Sequence, residues 1–205
     1  MKVLLVNGSS HEQGCTYTAL NEVAKSLNEH GIETEIFQLG KTSIQGCKGC
    51  WTCKKTKKCI FDDGVNEFVE KAAECDGFVF GSPVYYASAA GALVSFMDRV
   101  FYSGGRNLAY KPAAAVVSCR RAGASTTFDV INKYFTINNM LIVGSNYWNE
   151  IHGNTAEEAL QDEEGLQTMR VLGNNLAWVL ECLKLGKEAE ITPKRERKVM
   201  TNFIR

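Results

Sequence analysis

Lys2-Val-Leu-Leu-Val-Asn-Gly-Ser-Ser-His-Glu-Gln-Gly-Cys-Thr-Tyr-Thr-Ala-Leu20 reads as a strand, a loop and the start of a helix in immediate succession. Val3-Leu-Leu-Val6 is an unbroken apolar run, too short for a helix and without polar alternation. That is the pattern of a parallel strand covered on both faces. The small, hydroxyl-rich residues 7–18 follow, and a helical pattern then takes over. Such a passage points free backbone N–H groups and the positive end of a helix dipole at one spot, which makes an anion site. Ser9, Ser10, Thr16 and Thr18 add hydroxyls, and no Lys or Arg lies between Lys2 and Lys25. A phosphate bound here is therefore held mainly by neutral groups. Neither the Walker A spacing nor G-x-G-x-x-G is present, so on its own the stretch serves equally well as a turn and helix cap.

Downstream the same unit recurs. A helix is expected over 16–30, with Leu20, Val23, Ala24 and Leu27 on one face and Gly31 ending it. Residues 33–39 alternate in part and read as a second strand near an edge. Residues 40–61 form a cysteine-bearing loop, and Asp62-Asp63 opens a helix, with carboxylates at the positive end of its dipole. Strands at 77–81, 113–117 and 140–143 alternate with helices at 90–101, 126–135 and 166–185, the last two elements separated by a polar loop, 144–164. Five such alternations imply an α/β fold, a doubly wound five-stranded parallel sheet with helices on both faces. Ligands of these sheets sit beyond the strand C-terminal ends. The loops after the first, third and fourth strands, residues 7–18, 82–88 and 118–125, all open on that edge, which favours the anion site over the plain turn.

The 205 residues suit one domain over 1–185, with the cysteine loop inserted at 46–60 and a charged tail at 186–205. Twenty-three basic against 23 acidic residues and 45% apolar content are ordinary for a soluble globular chain. No basic excess argues for nucleic acid or an anionic membrane, and no signal peptide or transmembrane span is legible; a cytoplasmic location is expected. Eight cysteines are unusual, and in such a setting clustered cysteines point to metal or redox chemistry more than to disulfides. Cys75 and Cys182 lie in helical apolar stripes and read as small core residues.

Gly8-Ser-Ser-His-Glu-Gln-Gly-Cys-Thr16, Gly81-Ser-Pro-Val-Tyr-Tyr86 and Met97-Asp-Arg99 together resemble the flavodoxin-like NAD(P)H-dependent FMN reductases. Those proteins read G-S-P-R-x-x-G-N-T, S-P-V-Y-W and F-x-D-R at these places. The added cysteine loop is similar to that of the iron–sulfur flavoproteins of the same group. The resemblance covers about residues 1–185 and implies FMN as cofactor and NAD(P)H as electron donor. Carried over by position, Ser9, His11, Cys15 and Thr16 match the phosphate loop. Pro83, Val84, Tyr85 and Tyr86 match the segment lining the flavin ring. Ser118, Arg120 and Gly123 fall in the third flavin loop, where Arg120 and Arg121 face either the ring's pyrimidine edge, a nucleotide phosphate or solvent. Ser10-His11 stand where relatives have Pro-Arg, and Cys15 where they have Asn, so the loop leans on backbone donors. Asp98 and Arg99 read as a structural ion pair or interface contact. No catalytic side chain is assigned, because hydride passes from the nicotinamide directly to the flavin.

Cys47-Lys-Gly-Cys50-Trp-Thr-Cys53-Lys-Lys-Thr-Lys-Lys-Cys59 places four thiols with x2, x2, x5 spacing. Four thiolates in a compact loop can hold a [4Fe–4S] cluster, and the x2, x2 start matches the ferredoxin-type run. A tetrahedral zinc site uses the same ligands, and the third reading is free or locally bridged thiols. Lys48, Lys54, Lys55, Lys57 and Lys58 would favour thiolates and offset a cluster's negative charge. The expected activity is an FMN-dependent NAD(P)H oxidoreductase acting on a quinone, flavin or other small acceptor, with a redox protein such as ferredoxin as a further partner and a homodimer or homotetramer as the assembly. A flavodoxin-type electron carrier without its own substrate and a thiol-based redox or metal sensor are the alternatives.

Overall fold

A computed structural model describes residues 1–203; Ile204 and Arg205, the end of the expected tail, lie outside the described residues. Its centre is a parallel sheet built from β1 (Lys2–Asn7), β2 (Glu33–Gln38), β3 (Gly77–Tyr85) and β5 (Pro112–Cys119) in the order β2-β1-β3-β5. Its far edge is a divided strand, β6 (Leu141–Ile142) and β7 (Glu150–His152), both pairing parallel to β5. The order of these five positions, 2-1-3-4-5, is the flavodoxin-like winding, with its reversal beside β1 and β3. A two-residue strand, β4 (Ser88–Ala89), returns antiparallel onto the end of β3.

Alternation within the central strands assigns each side chain to a face. Val3 and Leu5 of β1, Val79 of β3, and Ala114 and Val116 of β5 meet α1 (Cys15–Glu29) and α7 (Glu163–Glu188). Leu4, Val6, Phe78, Phe80, Ala115 and Val117 point the other way, into α3 (Val65–Glu74), α4 (Gly91–Leu108) and α5 (Ala124–Ile137). A group of rings fills the second face, with Phe68 edge-on to Phe96 at 5.1 Å and tilted against Phe80 at 5.9 Å. Two-sided burial explains why β1, β3 and β5 lack polar alternation. β2, at the edge, keeps it in part.

Several expectations need correction. The polar loop 144–164 contains β7 and the one-turn α6 (Ala156–Ala159). Between the halves of the fifth strand the chain bulges out, and buried Asn149 closes the gap by donating Nδ2–H to the Ala115 carbonyl at 3.0 Å. With only Ile151 buried in three residues, β7 has no apolar signature. Second, the strand after α3 runs on to Tyr85 and reverses through Tyr86 and Ala87, φ 49° and 58°, a two-residue hairpin turn rather than a loop. Third, α3 starts behind Gly64 with no side-chain cap, and the Asp63 carboxylate is engaged by Arg99 of α4 instead. Fourth, Cys182 is exposed on the outer face of α7, off the stripe formed by Leu172, Leu176 and Leu180. That helix ends at Glu188, so the tail without regular structure begins later than expected.

Candidate functional site: a loop-lined cleft and a cysteine cavity

The first loop is shaped by the residue that ends β1. Buried Asn7 donates to Gln38 Oε1 at 2.6 Å, and its Oδ1 accepts the Ser9 N–H at 3.1 Å. Gln38 Nε2 donates to the Ser9 carbonyl at 2.8 Å. Ser9 Oγ in turn accepts the His11 N–H at 3.1 Å, which leaves its hydroxyl hydrogen free to donate. Gly8 donates its N–H to the Gly81 carbonyl at 2.9 Å; a Cβ on Gly8 would stand 2.7 Å from that oxygen. The loop therefore lies directly against β3, and no side chain fits between them.

Helix α1 starts at Cys15 behind Gly14, without a side-chain cap and without an acidic residue in its first turn. Its first N–H groups remain available to an anion, with the dipole unopposed. Thr16 is buried and its hydroxyl pairs with Ser118 Oγ of β5 at 2.8 Å, joining the first and third loops. Cys15 Sγ–H donates to the carbonyls of Gly153 at 3.5 Å and Thr155 at 3.2 Å. Burial, with Glu158 and Glu157 adding to it, pushes the Cys15 thiol above its ordinary value, so this cysteine is a neutral donor.

These loops enclose a cleft of about 850 Å³ at the C-terminal sheet edge, within the range of small-molecule and cofactor sites. Ser9, His11, Cys15, Thr16, Pro83, Val84, Tyr85, Ser118 and Arg120 all line it. Tyr86 and Gly123 do not. Tyr86 sits fully exposed at the hairpin tip. Gly123, at φ 88°, lies under the hairpin, where a Cβ would meet Ala87 Cα at 2.7 Å and Val84 at 2.8 Å. Gly123 thus positions the lining segment from behind.

Sequence reasoning missed two parts of the wall. Residues 153–157, from the end of β7 into α6, form its fourth side, and Lys41 brings a cation. The first loop carries no cation of its own, yet Lys41 and Arg120 arrive from other loops. Lys41 was findable, since it follows the second strand and that loop opens on the same edge. The 153–157 wall was not, since β7 carries no readable pattern.

The cysteines form a separate place. Cys47, Cys50, Cys53 and Cys59 all line one cavity of about 220 Å³, together with Phe61, Arg99 and Tyr102. They are free thiols. Among the described residues no three His, Cys, Asp or Glu side chains converge as ligands of a single ion. The thiols ring the cavity instead. Trp51 and Lys57 take left-handed backbone, φ 59° and 61°, on either side of the short helix α2 (Thr52–Thr56), which bends Cys50 and Cys53 toward the same space. The backbone N–H and hydroxyl of Thr52 reach Cys50 and lower its pKa.

Arg99 anchors this loop to α4. It is 2% exposed and forks onto Asp63, with Nη2 to Oδ1 at 2.6 Å and Nη1 on Oδ2. It also donates to the carbonyls of Gln45 at 2.9 Å and Phe61 at 3.3 Å, and its Nε donates to Cys59 Sγ at 3.2 Å. Asp98 is not its partner; Asp98 accepts from Tyr134. Arg99 is thus paired with Asp63 rather than with Asp98, across 36 residues of sequence.

The model of the NADPH-dependent FMN reductase family matches residues 1–155. An iron–sulfur flavoprotein of Methanocaldococcus jannaschii is 35% identical over 192 residues, covering 90% of this chain and 100% of that one. An iron–sulfur flavoprotein of Methanosarcina thermophila is 31% identical over 196 residues, covering 92% and 100%. Among solved structures, a flavodoxin from the domain Archaea superposes with a TM-score of 0.61 at 15% identity, over 88% of this chain and 99% of that one.

Proposed function

The chain belongs to the NADPH-dependent FMN reductase family, and from that premise we propose an FMN-dependent oxidoreductase that draws electrons from NADPH or NADH. In this reading they pass to a quinone, a flavin or another small acceptor by way of a [4Fe–4S] cluster at Cys47, Cys50, Cys53 and Cys59. FMN binding and a flavin-dependent electron-transfer role follow from the family itself and from the iron–sulfur flavoproteins related over nearly the whole chain.

One observation carries the placement of the flavin: loops distant in sequence meet in a single cleft, with an uncapped helix start at one end and Pro83, Val84 and Tyr85 at the other. The α1 N–H groups, Ser9 and Thr16 suit the phosphate, and the cations of Lys41 and Arg120 line the same cleft. The apolar segment after Gly81 suits the ring, with Tyr85 as an aromatic flank. FMN supplies hydride acceptance and a cluster supplies single-electron exchange. The four thiols at separate points of a cavity wall suit a multi-iron body, whose corners are ligated separately, better than one central zinc ion. No membrane-crossing helix is present among the described residues.

The exposed Tyr147 and Trp148 on the bulge, and Trp51 and Tyr102 beside the cysteine cavity, support assembly as a dimer or tetramer. An electron-transfer carrier is the second reading, favoured by the exposed lysines around the cysteines, a surface that a ferredoxin-type protein would fit. One assay separates the readings, and a second tests the cluster. Sustained NADPH or NADH oxidation with a quinone is expected of the reductase; bound FMN without turnover on any quinone or flavin means a carrier. Anaerobically reconstituted wild type is expected to hold iron and sulfide that Cys50→Ala loses. Iron content unchanged in that variant would remove the cluster from this loop.

A further inference from the structure

We propose that Arg99 is the positioning residue of the cysteine loop and sets the reduction potential of the cluster held there, acting through its hydrogen bond to Cys59. The inference rests on the cluster reading above and adds to it the residue that tunes the site.

Among the described residues Arg99 is the only Lys, Arg, Asp or Glu that is fully buried. A purely structural clamp is already complete without Nε. The two Nη groups engage Asp63 and the carbonyls of Gln45 and Phe61, and the Gln45 N–H closes the loop by donating to Asp63 at 3.2 Å. Nε is left over, and it points at the Cys59 sulfur from the wall of the cavity. Cys50, by contrast, meets only the neutral groups of Thr52. The lysines of the loop are solvent-exposed: Lys48, on the cavity lining, lies over Phe61, Lys54 lies over Trp51, Lys57 bonds the Lys54 carbonyl and Lys58 pairs with Glu70. The one cation shielded from water beside a ligand sulfur is therefore Arg99.

Reduction adds an electron, so a buried positive charge donating to a ligand sulfur stabilises the reduced state and raises the potential. Asp63, on the far side of the same guanidinium, partly cancels that charge. Removing either partner should move the potential, and in opposite directions. A residue that merely holds the loop in place would not produce that sign reversal.

The test is an anaerobic potentiometric titration of the FMN-loaded, cluster-reconstituted protein, followed by electron paramagnetic resonance, with flavin and iron counted in each sample. A hydrogen bond from a charged donor is stronger than one from a neutral group, and it strengthens further as the acceptor sulfur gains negative charge on reduction. Arg99→Gln is accordingly expected to disfavour cluster reduction about tenfold or more, a negative shift of ~59 mV per tenfold for a one-electron couple. Arg99→Lys, which keeps the charge but cannot serve Asp63 and Cys59 together, is expected to shift in the same direction by less. Asp63→Asn is expected to shift the potential upward. Unchanged potentials in both Arg99 variants with flavin and iron intact would overturn the proposal. So would loss of flavin together with iron in both, because that is how a structural residue behaves. Wild type that takes up no iron at all would instead defeat the cluster reading itself.

Discussion

Thr16 shows how one side chain couples the loops of the cleft. Its hydroxyl and that of Ser118 satisfy each other in a buried setting. Thr16→Val preserves the shape and removes the partner, which leaves Ser118 unsatisfied at a cost of about 1–3 kcal/mol. Calorimetric unfolding should show that loss, and FMN titration should show weakened binding. Ser9→Ala is expected to weaken FMN binding as well, because it removes both the acceptor for the His11 N–H and the free hydroxyl donor. Unaltered affinity in both variants would place the phosphate elsewhere. At this scale the sequence was legible where residue type alone carries chemistry: the hydroxyls of the first loop, Pro83 and the four cysteines. It was silent where a role depends on long-range pairing. Nothing local marks Asp63 as the partner of Arg99, and Asn149 gives no sign that it closes a divided strand.

The elements that place the cleft depend on close approach. Gly81 of β3 lies against α1, where a Cβ would stand 2.8 Å from Leu20 and 2.9 Å from Thr16. Gly81→Ala is expected to destabilise by about 1–3 kcal/mol through overpacking, and to weaken FMN binding as α1 is displaced; denaturant unfolding and flavin titration read the two effects. The cysteine loop is held by an ion pair whose pH response has a definite sign. Burial alone would raise the Asp63 pKa, but the Arg99 fork outweighs it and holds the carboxylate below its ordinary 3.8. Folding therefore favours the ionised form. The pair's contribution is complete above that ordinary value and is lost only as pH falls through the lower folded value. Trp51 fluorescence, in a protein whose Trp148 and Trp178 are replaced by Phe, should report loop release with a midpoint below 3.8. A midpoint at or above it would contradict the anchoring role. The two-residue hairpin and β7 escaped the sequence for the same reason: each is too short for periodicity, and φ > 0 at Tyr86 and Ala87 is unusual for non-glycine residues.

Over the whole molecule the sequence was most readable where both faces of the sheet are buried. Val3-Leu-Leu-Val6 and the runs in β3 and β5 announce themselves because every residue is apolar, and their winding places all the C-terminal loops on one edge. That geometry was enough to locate the cleft, while its fourth wall depended on a strand without a pattern. Because FMN binds the folded chain, a concentration 100-fold above its Kd is expected to stabilise by about 2.7 kcal/mol, or roughly 5–11 °C in melting temperature for a chain of this size. The most direct test is anaerobic addition of NADPH, and separately NADH, to the FMN-loaded protein, watching the flavin absorbance. The family and the cleft predict one flavin per chain and its bleaching by about one equivalent of at least one nucleotide. A chain that binds no flavin, or a bound flavin that neither nucleotide bleaches, would contradict the reductase reading at its centre.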